Sequence, residues 1–188
     1  NRWWMDEILK VNEYSEEQNK IESLGENKVF YLPYLMGERS PHNDSKARAV
    51  FIGMTMDTTR YEMTQAVLEG VAFGLRDSLE VARSFGIQIE RTKICGGGAK
   101  SDLWKKIIAN VMNIKVDILE NEEGPSYGSA ILAAVGCGEF ASVEEASKKL
   151  VKIIDTVEPE EELAHKYEEK YQIFRKFYPA LKNLYPIM

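Results

Sequence analysis

TKICGGGAKSDLWKKIIANVM, residues 92–112, sets a short β-favouring run, three consecutive glycines and an amphipathic helix in one unbroken line. The run from Thr92 to Cys95 predicts a buried strand, and Ser101 caps a helix on which Leu103, Ile107 and Val111 face one way. A second β-favouring run, Lys115 to Leu119, follows directly. Strand, helix and strand joined by links this short form a βαβ unit, so part of the sheet is expected to be parallel, with a right-handed crossover. The glycines stand where the first strand gives way to the helix. With no Cβ present, the backbone there can touch a flat or bulky ligand, and the helix start offers unpaired N–H groups.

Several readings compete for this loop. A Walker A loop needs glycine six residues before its lysine and again immediately before it, but Ile94 and Ala99 hold those positions. Gly96, Gly98 and Ser101 loosely echo the G-x-G-x-x-G of dinucleotide folds, with Glu120 at the end of the next strand where a ribose-binding carboxylate would stand. Serine in place of the third glycine weakens that match. A purely structural turn is the remaining reading.

Working outward, "TRYE" at residues 59–62 has the capping-box pattern and predicts a long helix from Thr59 to Gly86. Met63, Val67, Val71, Leu75 and Leu79 form an apolar stripe on it, and Ala66, Gly70 and Gly74 form a stripe of small residues that calls for another backbone packed very close. Before it, helices are expected from about Arg2 to Val11 and from Ser15 to Leu24, the second ending at Gly25 in the manner of a C-cap. Val29 to Leu32 and "RAVFIGMT" read as strands, separated by a loop rich in Gly, Pro, Asn and Asp. After the βαβ unit, "GPSYGSAILAAVGCG" reads as a short helix built for tight packing, Val143 to Leu150 as a surface helix, and Glu160 to Tyr185 as a long helix interrupted near Pro179. Leu163, Tyr167, Tyr171, Phe174, Tyr178 and Leu181 line one side of that last helix and read as core or as a contact between lobes.

The 188 residues suffice for one domain with a core, and no apolar run is long enough to span a bilayer. A net charge of −6 without clustered Lys and Arg disfavours a general nucleic-acid binder. Cys95 and Cys137 lie far apart in runs that read as buried, which fits free thiols in a reducing cytosol and no metal site. The start "NRWWMDEILK", with no initiator Met and no signal-peptide pattern, reads as the cut edge of a longer chain.

Two long segments, "YLPYLMGERSPHNDSKARAVFIGMTMDTTRYEMTQAVLEGVAFGLRDSLE" and "ICGGGAKSDLWKKIIANVM", strongly resemble the C-terminal domain of FGGY-family carbohydrate kinases, and the resemblance covers nearly the whole chain. Ala49, Phe51, Gly53 and Met54, then after a spacer Glu62, Met63, Ala66, Val67, Leu68 and Glu69, match the family's second signature. Within the family, "YLPYLMGERSPH", "LEGVAFGLRDSLE" and "EGPSYGSAILAAVG" look most like the xylulokinases.

The resemblance implies an α/β fold, the ribonuclease H-like C-terminal lobe of the actin and hexokinase type, with a mixed sheet flanked by helices and residues 1–188 as one lobe truncated at its N-terminus. It implies ATP and Mg2+ as cofactors, a sugar as the other substrate, the chain's own N-terminal lobe as partner, and a cytoplasmic enzyme. The activity implied for the full-length protein is phosphorylation of D-xylulose to D-xylulose 5-phosphate. Gluconate or another sugar of the same family, and a non-catalytic nucleotide-binding module, are the alternatives. The implied ATP-binding residues are Gly96, Gly97, Gly98, Ala99, Lys100, Ser101 and Asp102, and the dinucleotide reading falls away. Arg39 and His42 are candidates for the cleft, although an Arg39 paired with Glu38 or with a carbonyl explains that loop equally well. The phosphate-binding hairpin and the catalytic Asp base have no counterpart in this chain, so the fragment alone is expected to be inactive. Trp104 either covers adenine or, as its place on the helix favours, fills space. His165, Glu122 and Glu123 read as solvated, and exposed lobe-contact surface makes a homodimer a plausible state.

Overall fold

The computed structural model describes residues 1–120 and 124–187, so the loop pair Glu122 and Glu123 lies outside the described residues. The chain opens with a π-wound turn, Trp4–Leu9, that buries Trp4 and Met5. Then follow α1 (Tyr14–Gln18), β1 (Phe30–Leu32), β2 (Val50–Ile52) and the long α2 (Arg60–Ser84). The second half holds β3 (Arg91–Ile94), α3 (Asp102–Met112), β4 (Lys115–Leu119), α4 (Gly124–Gly136), α5 (Val143–Leu150), β5 (Ile153–Val157), α6 (Glu161–Phe174) and α7 (Phe177–Leu181).

α2 forms because its first turn is closed reciprocally. The Glu62 N–H donates to Thr59 Oγ1 at 3.2 Å, and the Thr59 N–H donates to Glu62 Oε2 at 2.7 Å. The small stripe behaves as expected. A Cβ on Gly70 would stand 2.1 Å from the Tyr31 carbonyl oxygen, so β1 lies directly on the helix backbone. The apolar stripe is only partly buried: Val67 and Leu79 are, but Leu75 is 45% exposed. A four-residue repeat overshoots a helical turn by about 40° per step, and α2 meets β1 and α3 on different sides, so burial does not follow one line.

β1 and β2 pair antiparallel, Tyr31 opposite Phe51. β3 and β4 run parallel and β4 and β5 antiparallel, giving the order β3-β4-β5 and a mixed sheet. The βαβ expectation therefore holds over Arg91–Leu119. β3 is an edge strand, however, and alternates between exposed and half-buried rather than being buried. The main core collects Leu32, Phe73, Ile107, Val111, Tyr167 and Phe174 between β1, α2, α3 and α6.

Under that core runs a buried polar network. Lys170 Nζ lies 2.5 Å from Glu69 Oε2 and donates to the Asn27 carbonyl at 2.6 Å, while the Tyr167 hydroxyl and the Gln65 amide both donate to Glu69 Oε1. It ties α6 to α2 and to the entry of β1.

Three expectations need correction. α1 stops at Gln18 instead of reaching Leu24, because Ile21 and Leu24 are drawn onto the main core, and Gly25 serves a turn at φ +80° against Lys166. α4 is not tightly packed: Ile131 is its buried side chain and Leu132 is 60% exposed. Cys95 and Cys137 are free but exposed. The expected interruption of the last helix near Pro179 is present: it breaks at Arg175 and Lys176, which leaves Pro179 in the first turn of α7, where its missing N–H has no partner to lose. β5 adds a strand that the sequence pattern did not announce.

Candidate functional site

β3 delivers the chain into the glycine loop. Gly96 takes φ +77° and ψ −169°, a conformation open essentially to glycine alone. From there Gly97–Lys100 makes a single 3-10 turn, closed by the Ala99 N–H on the Gly96 carbonyl and the Ser101 N–H on the Gly98 carbonyl. Ser101 then starts α3, its Oγ accepting from the Trp104 N–H at 3.1 Å. The same hydroxyl donates to Gln18 Oε1 at 2.6 Å, so the loop is tied to α1 across 83 residues of sequence.

Between the loop and α1 lies a cavity of about 450 Å³. Gly97, Gly98, Lys100 and Ser101 form one wall, Tyr14, Ser15 and Gln18 the other, and Leu68 and Val71 of α2 line it with Trp104. Its size falls within the range of small-molecule sites, and its walls have the usual make-up of apolar surface with a few polar groups. The glycines bound it in two ways. A Cβ on Gly97 would meet nothing within 4 Å, whereas one on Gly98 would stand 3.0 Å from the Trp104 ring. Trp104 packs against the core, as the space-filling reading expects, and it also lines the cavity.

The remaining loop residues stand behind or beside this wall. Ala99 is buried and Gly96 sets the turn. The Asp102 carboxylate reaches Lys105 Nζ at 2.7 Å and is 96% exposed, away from the cavity lining.

Arg39 and His42 belong elsewhere. His42 stacks on Tyr178 at 3.7 Å between ring centroids and 6° between planes, with Tyr34 edge-on and its Nε2 3.9 Å from Asp77 Oδ2, in a separate cavity of about 370 Å³. Burial raises the Asp77 carboxyl above its ordinary pKa, against the pull of the Tyr171 hydroxyl bonded to it at 2.7 Å. Arg39 is exposed, and Glu38 spends its carboxylate on the backbone N–H groups of Ser40 and His42. His165 is solvated, 3.8 Å from Glu169.

A larger opening of about 540 Å³ at the α2–β3 connection contains none of the residues singled out from sequence. Among the described residues no group of three His, Cys, Asp or Glu side chains converges to hold a metal ion. No described helix is long and apolar enough to cross a membrane. The cavity-lining residues that sequence reasoning missed are Asn1, Tyr14, Ser15, Gln18, Leu68 and Val71. Val71 carried a signal in its place on the apolar stripe of α2, and Leu68 in the signature match.

Comparison with known proteins bears on the same segments. Residues 4–137 match the FGGY family of carbohydrate kinases, C-terminal domain. A xylulose kinase of Staphylococcus epidermidis is 35% identical over 96% of this chain, which spans 37% of that protein. The crystal structure of a xyloylose kinase from Brucella ovis superposes with a TM-score of 0.85 at 36% identity, over 96% of this chain and 37% of that one. A gluconate kinase from Lactobacillus acidophilus shares the fold, with a TM-score of 0.81 at 23% identity over 95% of this chain and 37% of that one. The α/β architecture and the signature on β2 and α2 agree with these matches, and the chain, whose residues 4–137 match the C-terminal domain, belongs to the FGGY family of carbohydrate kinases.

Proposed function

We propose that this chain supplies the adenosine-binding half of the nucleotide site in an ATP-dependent sugar kinase, and that the complete protein phosphorylates D-xylulose at its terminal hydroxyl to give D-xylulose 5-phosphate. The observation that carries the reading is the cavity of about 450 Å³ walled on one side by Gly97 and Gly98. A purine fits against glycine backbone because no Cβ holds it off. Leu68, Val71 and Trp104 supply apolar surface for the base, and Lys100 brings a positive charge to the same cavity for the phosphates.

Phosphoryl transfer rests on positioning and on charge stabilisation around the moving group. In this reading the chain's own residues bind and orient the nucleotide, and none of them is assigned as the base that takes the sugar proton. Magnesium accompanies such reactions on the nucleotide phosphates, but the described residues offer no carboxylate cluster for it, so no step here is routed through it. The chain alone is expected to transfer no phosphoryl group. A cytoplasmic enzyme is part of the same reading.

The choice of sugar rests on the relatives named xylulose kinase, and the shared fold of the gluconate kinase keeps gluconate as the second reading. The test is turnover of the complete gene product with ATP and D-xylulose, beside gluconate, glycerol and ribulose. A kcat/KM for xylulose well above the others is expected. Preference for another sugar keeps the kinase and overturns xylulose, and ATP binding without turnover of any of them overturns catalysis.

A further inference from the structure

Gln18 is 8% exposed, yet its side chain lines the glycine cavity. Its carboxamide is held from one end. The Ser101 hydroxyl accepts from the Trp104 N–H and gives its own proton to Gln18 Oε1 at 2.6 Å. A carboxamide is planar, so fixing Oε1 also fixes the direction of the two Nε2 hydrogens. Among the described residues Nε2 has no acceptor, and it is not sealed away from the cavity as a buried orphan atom. Acceptors share the lining, among them the Asn1 carboxamide and the Ser15 and Tyr14 hydroxyl oxygens, but none of them takes a hydrogen bond from Nε2. A ligand seated in the cavity can supply the acceptor that solvent otherwise provides.

We propose that Gln18 is a base-selecting residue, its Nε2 donating to an unprotonated ring nitrogen of a purine held between the glycine wall and α1. The inference rests on the nucleotide reading of this cavity and adds to it which atom recognises the base. Purine rings carry such acceptors on their edges, while the triphosphate, whose charge calls for Lys100, carries none that this neutral donor would distinguish.

The test measures binding to the complete gene product of ATP, of its 1-deaza, 3-deaza and 7-deaza analogues, in each of which one ring nitrogen is replaced by C–H, and of tripolyphosphate as a probe without a base. Wild type is compared with Gln18→Met and with Gln18→Glu, which keeps an acceptor for Ser101 and covers the case in which Gln18→Met fails to fold. One analogue is expected to bind wild type about three- to tenfold more weakly than ATP, the worth of one neutral hydrogen bond. Gln18→Met should lose the same factor for ATP, show no further loss with that analogue, and bind tripolyphosphate as wild type does; Gln18→Glu, whose carboxylate also repels the phosphates, is read from its analogue-to-ATP ratio alone, which should be flat. Equal ratios across the analogues in wild type and variants overturn the proposal, as does an equal loss for tripolyphosphate in Gln18→Met, which makes Gln18 a mere tie between α1 and the loop. If Gly97→Val abolishes ATP binding while the Gln18 variants leave it untouched, the nucleotide site stands and Gln18's role is lost. Wild type that binds no ATP overturns both.

Discussion

Gly70 and Gly97 are both glycines in contact-rich parts of the molecule, but they answer to opposite demands. A side-chain carbon on Gly70 would stand 2.1 Å from a backbone oxygen of β1, and one on Gly97 would meet nothing within 4 Å. The first glycine is required by the folded chain itself, because α2 and β1 approach until only hydrogen fits between them. The second faces a cavity lined by Tyr14, Gln18 and Trp104, so what it leaves room for is outside the chain. Crowding by one's own backbone marks a packing glycine, and open space in front of a walled cavity marks a binding one. The difference can be broken by substitution, since one class should cost stability and the other affinity.

The largest effect belongs to Gly70→Ala. The methyl cannot be absorbed by a rotamer change, because the atom it meets is main chain, so β1 must lift off α2. Loss of about 3 kcal/mol or more is expected, at the upper end for overpacking, read as a collapse of the thermal unfolding midpoint. A variant that melts like wild type would show that β1 does not lie on α2 as described.

An effect of comparable size probes the polar layer beside that contact. Glu69→Ala leaves the Lys170 ammonium buried with the Asn27 carbonyl for company, at a cost of about 3–5 kcal/mol in urea unfolding. The double variant Glu69→Leu with Lys170→Met removes both charges and should be more stable than Glu69→Ala. If the double variant is the worse of the two, the network contributes more than charge neutralisation. This layer also separates what the sequence could say from what it could not. The Thr59–Glu62 cap, the Gly70 approach and the βαβ unit were legible because each is fixed by neighbours within one or two turns or by a repeating pattern. Glu69 and Lys170 stand 101 residues apart, and Gln18 and Ser101 stand 83 apart, so no local pattern pairs them. β5 escaped notice because its first three residues are exposed and lack apolar-polar alternation. α1 was overextended because the core's claim on Ile21 and Leu24 is a tertiary effect that outweighs propensity. The glycine wall was readable from "CGGGAKS", whereas the opposite wall, made by a five-residue polar helix, was not.

The smallest expected change in stability, and the sharpest test of the comparison, comes at the glycine loop. Gly98→Val is the obvious substitution, but its Cβ would press on Trp104 at 3.0 Å, and Trp104 packs against the main core, so weaker binding there could follow from a shifted tryptophan. Gly97→Val avoids this. Its side chain projects into open space, and a change of no more than about 0.5 kcal/mol in stability is expected, as for surface substitutions away from packed features. Its two methyl groups nevertheless occupy the wall against which the base is proposed to lie. ATP affinity measured by calorimetry on the complete gene product should fall by about tenfold or more, equivalent to about 1.4 kcal/mol, with the unfolding midpoint unchanged. Unaltered affinity in a folded Gly97→Val would place the nucleotide elsewhere and remove the distinction between the two glycines, leaving Gly97 as a turn residue with nothing in front of it.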